Sequence, residues 1–204
     1  MLSIGSNLGD RLAALTAAVE HFRPWLVAVS PVYETAPWGT VAQDDYLNAI
    51  LLVTDGGAQA GDWLARGHGA EQAAGRTRDV RYGPRTLDVD VVSVDDARSD
   101  DPVLTLPHPR AAERAFVLVP WLAVDRDAEL PGAGRVEALV AALDEQDVAG
   151  VRVRPDVTLP DVTLPDVTLP DVTLPHPHPP SPHPHPHPHP HPHPHPHPPS
   201  PQGA

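Results

Sequence analysis

From Pro155 onward, proline recurs first at every fifth position and then mostly at every second. Each proline removes a backbone donor and fixes φ near −65°. Such a stretch favours extended polyproline geometry over helix or sheet interior. Residues 155–174 are four identical copies of Pro-Asp-Val-Thr-Leu, and residues 175–199 are dominated by His-Pro alternation. Residues 1–150 are therefore expected to form one domain of ordinary size, and residues 151–204 a low-complexity, disordered tail. With three residues per polyproline turn, neighbouring imidazoles point to different sides, and His183 and His189 share a face roughly 19 Å apart. The tail then suits weak, bending-dependent binding of Zn²⁺, Ni²⁺ or Cu²⁺, not a preformed tetrahedral site.

Composition narrows the function of the remainder. The formal net charge is −13, which opposes non-specific nucleic-acid binding, since that affinity comes from basic side chains displacing counterions. There are no cysteines, so disulfides and thiolate metal sites are out. No run of about 18 apolar residues is present to cross a membrane, and the amino terminus lacks the basic and apolar regions of an export signal. The expectation is a soluble, cytoplasmic protein without nucleic-acid or membrane partners, and a monomer.

Hydrophobic periodicity gives the element order. Leu2-Ser3-Ile4 reads as the stub of a strand, short at its amino end or frayed at a sheet edge. Leu12, Leu15, Val19 and Phe22 fit one helix face. Residues 25–35 and 46–54 carry strand-forming side chains, joined by the Pro- and Gly-containing loop 36–44. A helix is expected over 58–74, weakened by Gly61, Gly67 and Gly69 at roughly 1 kcal/mol each. A strand over 87–94, a short strand near 103–106, a helical stretch near 111–118 and a last helix over 135–145 complete the series. Interleaved helices and strands of this kind point to an α+β fold: a ferredoxin-like sandwich with a mainly antiparallel sheet flanked by helices.

Residues 75–94, GRTRDVRYGPRTLDVDVVSV, carry the most chemistry. In a strand, side chains at i and i+2 share a face, so Asp88 and Asp90 project together while Leu87, Val89 and Val91 turn into a core. Two adjacent carboxylates repel unless a cation lies between them. Hard oxygen donors on a strand suit Mg²⁺, which keeps waters and takes its other ligands from substrate phosphates. Gly83-Pro84 signals a turn, placing Arg76, Arg78, Arg81 and Arg85 beside the carboxylates, where their guanidinium forks suit phosphate oxygens. A solvated hairpin of surface ion pairs is the bland alternative. No G-x-x-x-x-G-K-[ST] loop occurs, so this is not a P-loop kinase. Tyr46 and Trp38 could shape a slot for a flat heterocycle beside the amide of Asn48.

This segment resembles the signature of the 6-hydroxymethyl-7,8-dihydropterin pyrophosphokinase family, approximately G-R-x-R-…-R-[WY]-G-P-R-T-L-D-[LVI]-D. Three further blocks agree in order: Ser3 to Arg11, Ser30 to Gly39 with Asp45 to Ala49, and Leu106 to Pro109 followed by Arg114-Ala115-Phe116. The resemblance implies the same α+β sandwich and transfer of diphosphate from ATP to the pterin, releasing AMP, in folate biosynthesis. It implies two Mg²⁺ ions on Asp88 and Asp90, and catalytic roles for these carboxylates together with Arg76, Arg78, Arg81 and Arg85. By the same resemblance Thr35, Ala36, Trp38, Tyr46, Asn48 and Phe116 contact the pterin, and Glu71, Arg85, His108 and Arg114 the nucleotide. Tyr82 for tryptophan, His68 for a common glutamine, and Pro109 depart from the family pattern. A weakened, binding-only member and a metal buffer acting through its histidine tail are the competing classes.

Overall fold

The computed structural model describes residues 1–37, 43–75 and 85–160. The chain opens with β1 (Leu2–Ser6), buried along its whole length. Gly9 turns the chain at φ +70°. Asp10 then caps α1 (Arg11–Phe22), its Oδ1 accepting the Ala13 N–H at 3.0 Å, which satisfies a first-turn donor. Leu15, Ala18, Val19 and Phe22 bury one face of this helix. A 3₁₀ turn at Arg23–Trp25 leads into β2 (Leu26–Val29) and β3 (Tyr33–Thr35). The strand expected over 25–35 is thus two strands, broken around Pro31, which has no N–H for a ladder.

Next come β4 (Tyr46–Val53), α2 (Ala60–Ala73) and β5 (Asp88–Val91). A capping box of Gln59 and Asp62 starts α2. Gly67 has a packing reason: a Cβ there would lie 3.1 Å from Val89 Cγ1, so the glycine lets α2 lie close against β5. The remainder comprises the hairpin β6 (Ser99–Asp101) and β7 (Leu104–Leu106), then α3 (Ala115–Val124), the small hairpin β8 (Glu129–Leu130) and β9 (Gly134–Arg135), α4 (Val136–Ala142), α5 (Glu145–Ala149) and β10 (Arg152–Val153). The stretch expected as one helix over 111–118 is a 3₁₀ turn at Ala111–Glu113 followed by α3, which continues through Pro120. Burial of α3's nearly all-apolar sequence outweighs the proline's missing hydrogen bond. The expected last helix is split, because Asp144 accepts the Gln146 N–H and starts a new turn.

The main sheet has the order β10-β3-β4-β1-β5, with β2 also pairing with β4, and all these pairings are antiparallel. β1 is therefore an interior strand, not a frayed edge. Alternation along β4 separates two cores. Leu47, Ala49 and Leu51 join the cluster under α1 and α2, whereas Ile50 and Leu52 join the cluster with α3 and α4. The fold is α+β, as expected.

One boundary moves. Residues 151–160 were assigned to the tail, yet β10 pairs with β3 through Arg152↔Glu34 and Val153↔Tyr33. Beyond it Leu159 is buried at 6 % exposure in the α1–α2 core, with Val157 packed against that core. The first Pro-Asp-Val-Thr-Leu copy is thus part of the domain. Residues 161–204 lie outside the described residues.

Candidate active site

The α3 face of the sheet changes character along its length. On β4, Ile50 faces the α3–α4 core, and two residues earlier the same face carries Asn48. On β5 that face carries Asp88 and Asp90, while Val89 and Val91 pack under α2 and α1. The strand alternation read from the sequence is therefore observed. Between β4 and β5 lies β1, whose Gly5 is in register with Asn48 on one side and Asp88 on the other. A Cβ at Gly5 would come within 2.9 Å of Asn48 Oδ1. The glycine keeps the floor of the site flat.

Above this floor is a cavity of about 240 Å³. One end is neutral. Thr35, Ala36, Tyr46, Asn48 and Phe116 line it, and Asn48 Nδ2 donates to Thr35 Oγ1 at 2.8 Å between two buried side chains. Five of the six residues expected to contact a pterin are thus brought together; Trp38 lies outside the described residues.

The other end is ionic. Asp88, Asp90, Arg85, His108, Arg110 and Arg114 line it. Arg85 Nη1 pairs with Asp88 Oδ2, and Arg114 Nη1 lies 3.2 Å from Asp90 Oδ2 with its guanidinium 5.5 Å from the Phe116 ring centre. Burial pushes the Asp90 carboxyl above its ordinary pKa, and the neighbouring Asp88 charge adds to this; His108, Arg114 and Arg85 oppose it. Burial likewise lowers the His108 pKa against the pull of Asp90. His108 is fixed by its backbone N–H to Val92 O at 2.8 Å, and its Nδ1 accepts the Arg110 N–H at 3.2 Å. A neutral ring then carries its proton on Nε2. Arg76, Arg78 and Arg81 lie outside the described residues.

Glu71 falls elsewhere. It is buried on α2 at 4 % exposure, and its Oε1 accepts the Val89 N–H at 3.0 Å. It does not line the cavity, because the Val89 side of β5 faces away from the two aspartates. Its bond to Val89 supports the strand that presents them.

Asn7 is the residue that sequence reasoning quoted without giving it a role. Its Oδ1 accepts the Arg85 N–H at 2.8 Å and its own N–H donates to Arg85 O at 3.1 Å. Its Nδ2 donates to Gln43 Oε1 and to Asp44 O. One buried amide thereby ties both flanks of the cavity to the end of β1. The available signal was its place in the Gly5-Ser6-Asn7 turn, where asparagine commonly bonds to backbone.

Among the described residues no group of three or more His, Asp or Glu forms a metal cluster. Two carboxylates on one strand face, opening into a cavity, are nevertheless the donor set of a hard cation that completes its shell with water and phosphate. Burial first and the neighbouring Asp88 charge second raise the Asp90 pKa, and a cation between the two carboxylates would offset both.

The comparisons with known proteins agree with this geometry. The profile of the family described as 7,8-dihydro-6-hydroxymethylpterin-pyrophosphokinase matches residues 1–126. A 2-amino-4-hydroxy-6-hydroxymethyldihydropteridine pyrophosphokinase of Mycobacterium leprae is 49 % identical over 166 residues, covering 75 % of this chain and 87 % of its own. The Mycobacterium tuberculosis protein of that name is 44 % identical over 172 residues, covering 78 % and 92 %. That of Methylorubrum extorquens is 40 % identical over 161 residues, covering 74 % and 96 %. With its strand-borne aspartates, neutral slot and matched blocks, the chain belongs to the 7,8-dihydro-6-hydroxymethylpterin-pyrophosphokinase family.

Proposed function

We infer that the chain transfers diphosphate from ATP to the hydroxymethyl group of 6-hydroxymethyl-7,8-dihydropterin, giving AMP and the pterin diphosphate in folate biosynthesis. The observation that carries this is one cavity with a neutral, hydrogen-bonded end and a doubly acidic, arginine-flanked end, joined across Gly5. A flat heterocycle fits between Phe116, Tyr46 and the Asn48–Thr35 pair, and a polyphosphate fits beside Arg85, His108, Arg110 and Arg114.

In this reading Asp88 and Asp90 hold two Mg²⁺ ions, which when bound neutralise phosphate oxygens and lower the cost of in-line displacement. Arg85 and Arg114, released from their carboxylate partners, turn their forks to phosphate oxygens, and Nε2–H of His108 donates to another. Arg76, Arg78 and Arg81 would neutralise negative charge developing on the transferred group. Asn48 and Thr35 orient the pterin so that its hydroxymethyl oxygen points toward the aspartates. The finer reading also includes a ferredoxin-like arrangement, a cytoplasmic monomer, and weak transition-metal binding confined to the His-Pro tail.

The test is AMP formation from ATP and Mg²⁺, with and without the pterin, in the native chain and in Asp90→Ala. Pterin-dependent AMP release that disappears in the variant supports the reading. A folded native chain that binds both substrates and releases no AMP refutes it. Removing residues 161–204 should abolish Ni²⁺ binding and leave turnover intact. The cut belongs after Pro160, since Leu159 is part of the core.

A further inference from the structure

Behind the neutral end of the cavity, on the opposite face of β3, lies a cluster of charges that the reaction itself does not use. Tyr33 and Thr35 are buried on one side of β3, and Glu34 projects from the other. Glu34 Oε1 is 3.0 Å from Arg11 Nη1 and also 3.0 Å from Arg154 Nη1. The same Arg11 nitrogen donates to the backbone oxygen of Asp45 at 2.6 Å. Arg152 Nη2 lies 3.4 Å from Asp45 Oδ2. Arg154 is itself held in a two-pronged contact with Asp156, at 2.9 and 2.8 Å, and its backbone N–H donates to Val32 O at 2.8 Å.

These contacts tie three distant segments together. Arg11 begins α1, Glu34 and Asp45 flank the two residues that carry the neutral end, Thr35 and Tyr46, and Arg154 stands between β10 and the first Pro-Asp-Val-Thr-Leu copy. Leu159, buried in the α1–α2 core, anchors the far end of that copy. Glu34 and Arg154 are 19 % and 28 % exposed at their side chains, so water screens the pairs only in part, and the network has more weight than an isolated surface pair.

We propose that Arg154, acting through Glu34 and Arg11, is a positioning residue for the pterin, and that residues 152–159 brace the neutral end of the cavity from behind. Glu34 adjoins Thr35 in the chain, so the rotation of β3 that Glu34 fixes also sets where Thr35 Oγ1 stands. That oxygen in turn holds Asn48 by the 2.8 Å bond from its amide. Arg11 sets the backbone at Asp45 in the same way, immediately before Tyr46. Loosening the brace would let the slot widen without touching the aspartates, so it would act on pterin binding and leave the nucleotide end alone. The proposal rests on the assignment of the neutral end to the pterin.

The experiment is steady-state kinetics on the full-length chain, with KM measured separately for pterin and ATP. Arg154→Ala and Glu34→Gln should each raise the pterin KM about five- to tenfold, with kcat and the ATP KM within about twofold. The double variant should be no worse than the stronger single one, as expected for residues acting through one contact. Arg154→Lys, which keeps a charge for Glu34 and loses the two-pronged fit to Asp156, should recover part of the loss. Val136→Ala, in the α3–α4 core, serves as a control for lowered Tm. A similar rise in pterin KM in that control would reduce the effect to general destabilisation and overturn the proposal, as would unchanged pterin KM in Arg154→Ala. Asn48→Ala separates the two levels. If it too leaves the pterin KM unchanged, the slot assignment falls and takes the brace with it; if it raises the KM while Arg154→Ala does not, only the brace falls.

Discussion

The two ends of the cavity are built from opposite materials. At the neutral end, buried side chains are held by ordinary hydrogen bonds, with Asn48 on Thr35 as the central contact. At the ionic end, both carboxylates are held by contacts between opposite charges: Arg85 with Asp88 and Arg114 with Asp90. A neutral hydrogen bond in a dry slot is formed in advance and changes little with salt or pH. A set of ion pairs has to exchange partners when a polyphosphate arrives, and its strength depends on screening. The first arrangement suits recognition of shape, and the second suits a charge that moves during reaction. Variants that act on one end should therefore leave the KM for the other substrate nearly unchanged.

The largest expected effect is at the ionic end. Asp90→Asn keeps the size of the side chain and removes the charge that faces Asp88 and Arg114. Turnover should fall by about a thousandfold or more, since under the proposed function this group would hold a metal ion that stabilises the transferring phosphoryl charge. Burial already disfavours the ionised Asp90, so the fold gains little from that charge and thermal unfolding should shift by only a few degrees. Retained turnover in Asp90→Asn would place the chemistry elsewhere.

Gly5→Ala tests whether the ends are separable at the strand they share. The new Cβ meets Asn48 Oδ1 at 2.9 Å, so the amide must give way, and crowding of this kind costs about 1–3 kcal/mol. The pterin KM should rise by about tenfold or more, with the ATP KM nearly unchanged. A comparable rise in both constants would show that β1 transmits strain to Asp88 and that the two ends are one unit. Thr35→Val is milder. It keeps the shape, removes the acceptor and leaves a buried Asn48 N–H unpaired, for about 1–3 kcal/mol of stability. The pterin KM should rise severalfold, and a pterin KM equal to that of the native chain would remove Thr35 from the slot.

The same contrast explains what could be read from the sequence. The ionic end was legible because its logic is local. Asp88 and Asp90 share a face by strand periodicity alone, and both neighbours, Val89 and Val91, are apolar enough to fix which face is buried. The matched blocks brought Thr35, Tyr46, Asn48 and Phe116 to one place. The bond from Val89 to Glu71 was not legible, because sequence spacing along α2 does not say whether a carboxylate faces a cavity or the back of the next strand. Of the two alternatives for β1, the frayed edge falls, since β1 pairs with both β4 and β5; Leu2-Ser3-Ile4 looks the same at an edge as between two partners. β10 was hidden more deeply. Val-Arg-Val carries no strong pattern, and four identical repeats read as one low-complexity unit. The meeting of Arg154 with Glu34, far apart in sequence, and of Leu159 with the core makes the first copy part of the domain.

The smallest expected effect concerns pH. The Asp156 carboxylate, bonded to the Arg154 guanidinium, has its pKa lowered to about 2, below the ordinary value near 3.9 of an unfolded aspartate. A carboxylate depressed on folding contributes stability that is complete above its unfolded pKa and is lost as pH falls through its folded pKa. Comparing Tm for the native chain and Asp156→Asn should therefore give a small constant difference above about pH 5 that shrinks between about pH 4 and pH 2. Because Asp156 is solvent-facing, added salt should reduce the difference at every pH. The Asp156 carboxylate stays ionised through the pH range where phosphoryl transfer is ordinarily assayed, so any pH dependence of turnover there is expected to come from the ionic end, not from this contact. A pterin KM that changed between about pH 6 and pH 8 while the ATP KM did not would reverse that assignment, since among the described residues the neutral end is lined by Thr35, Ala36, Tyr46, Asn48 and Phe116, with no histidine or carboxylate.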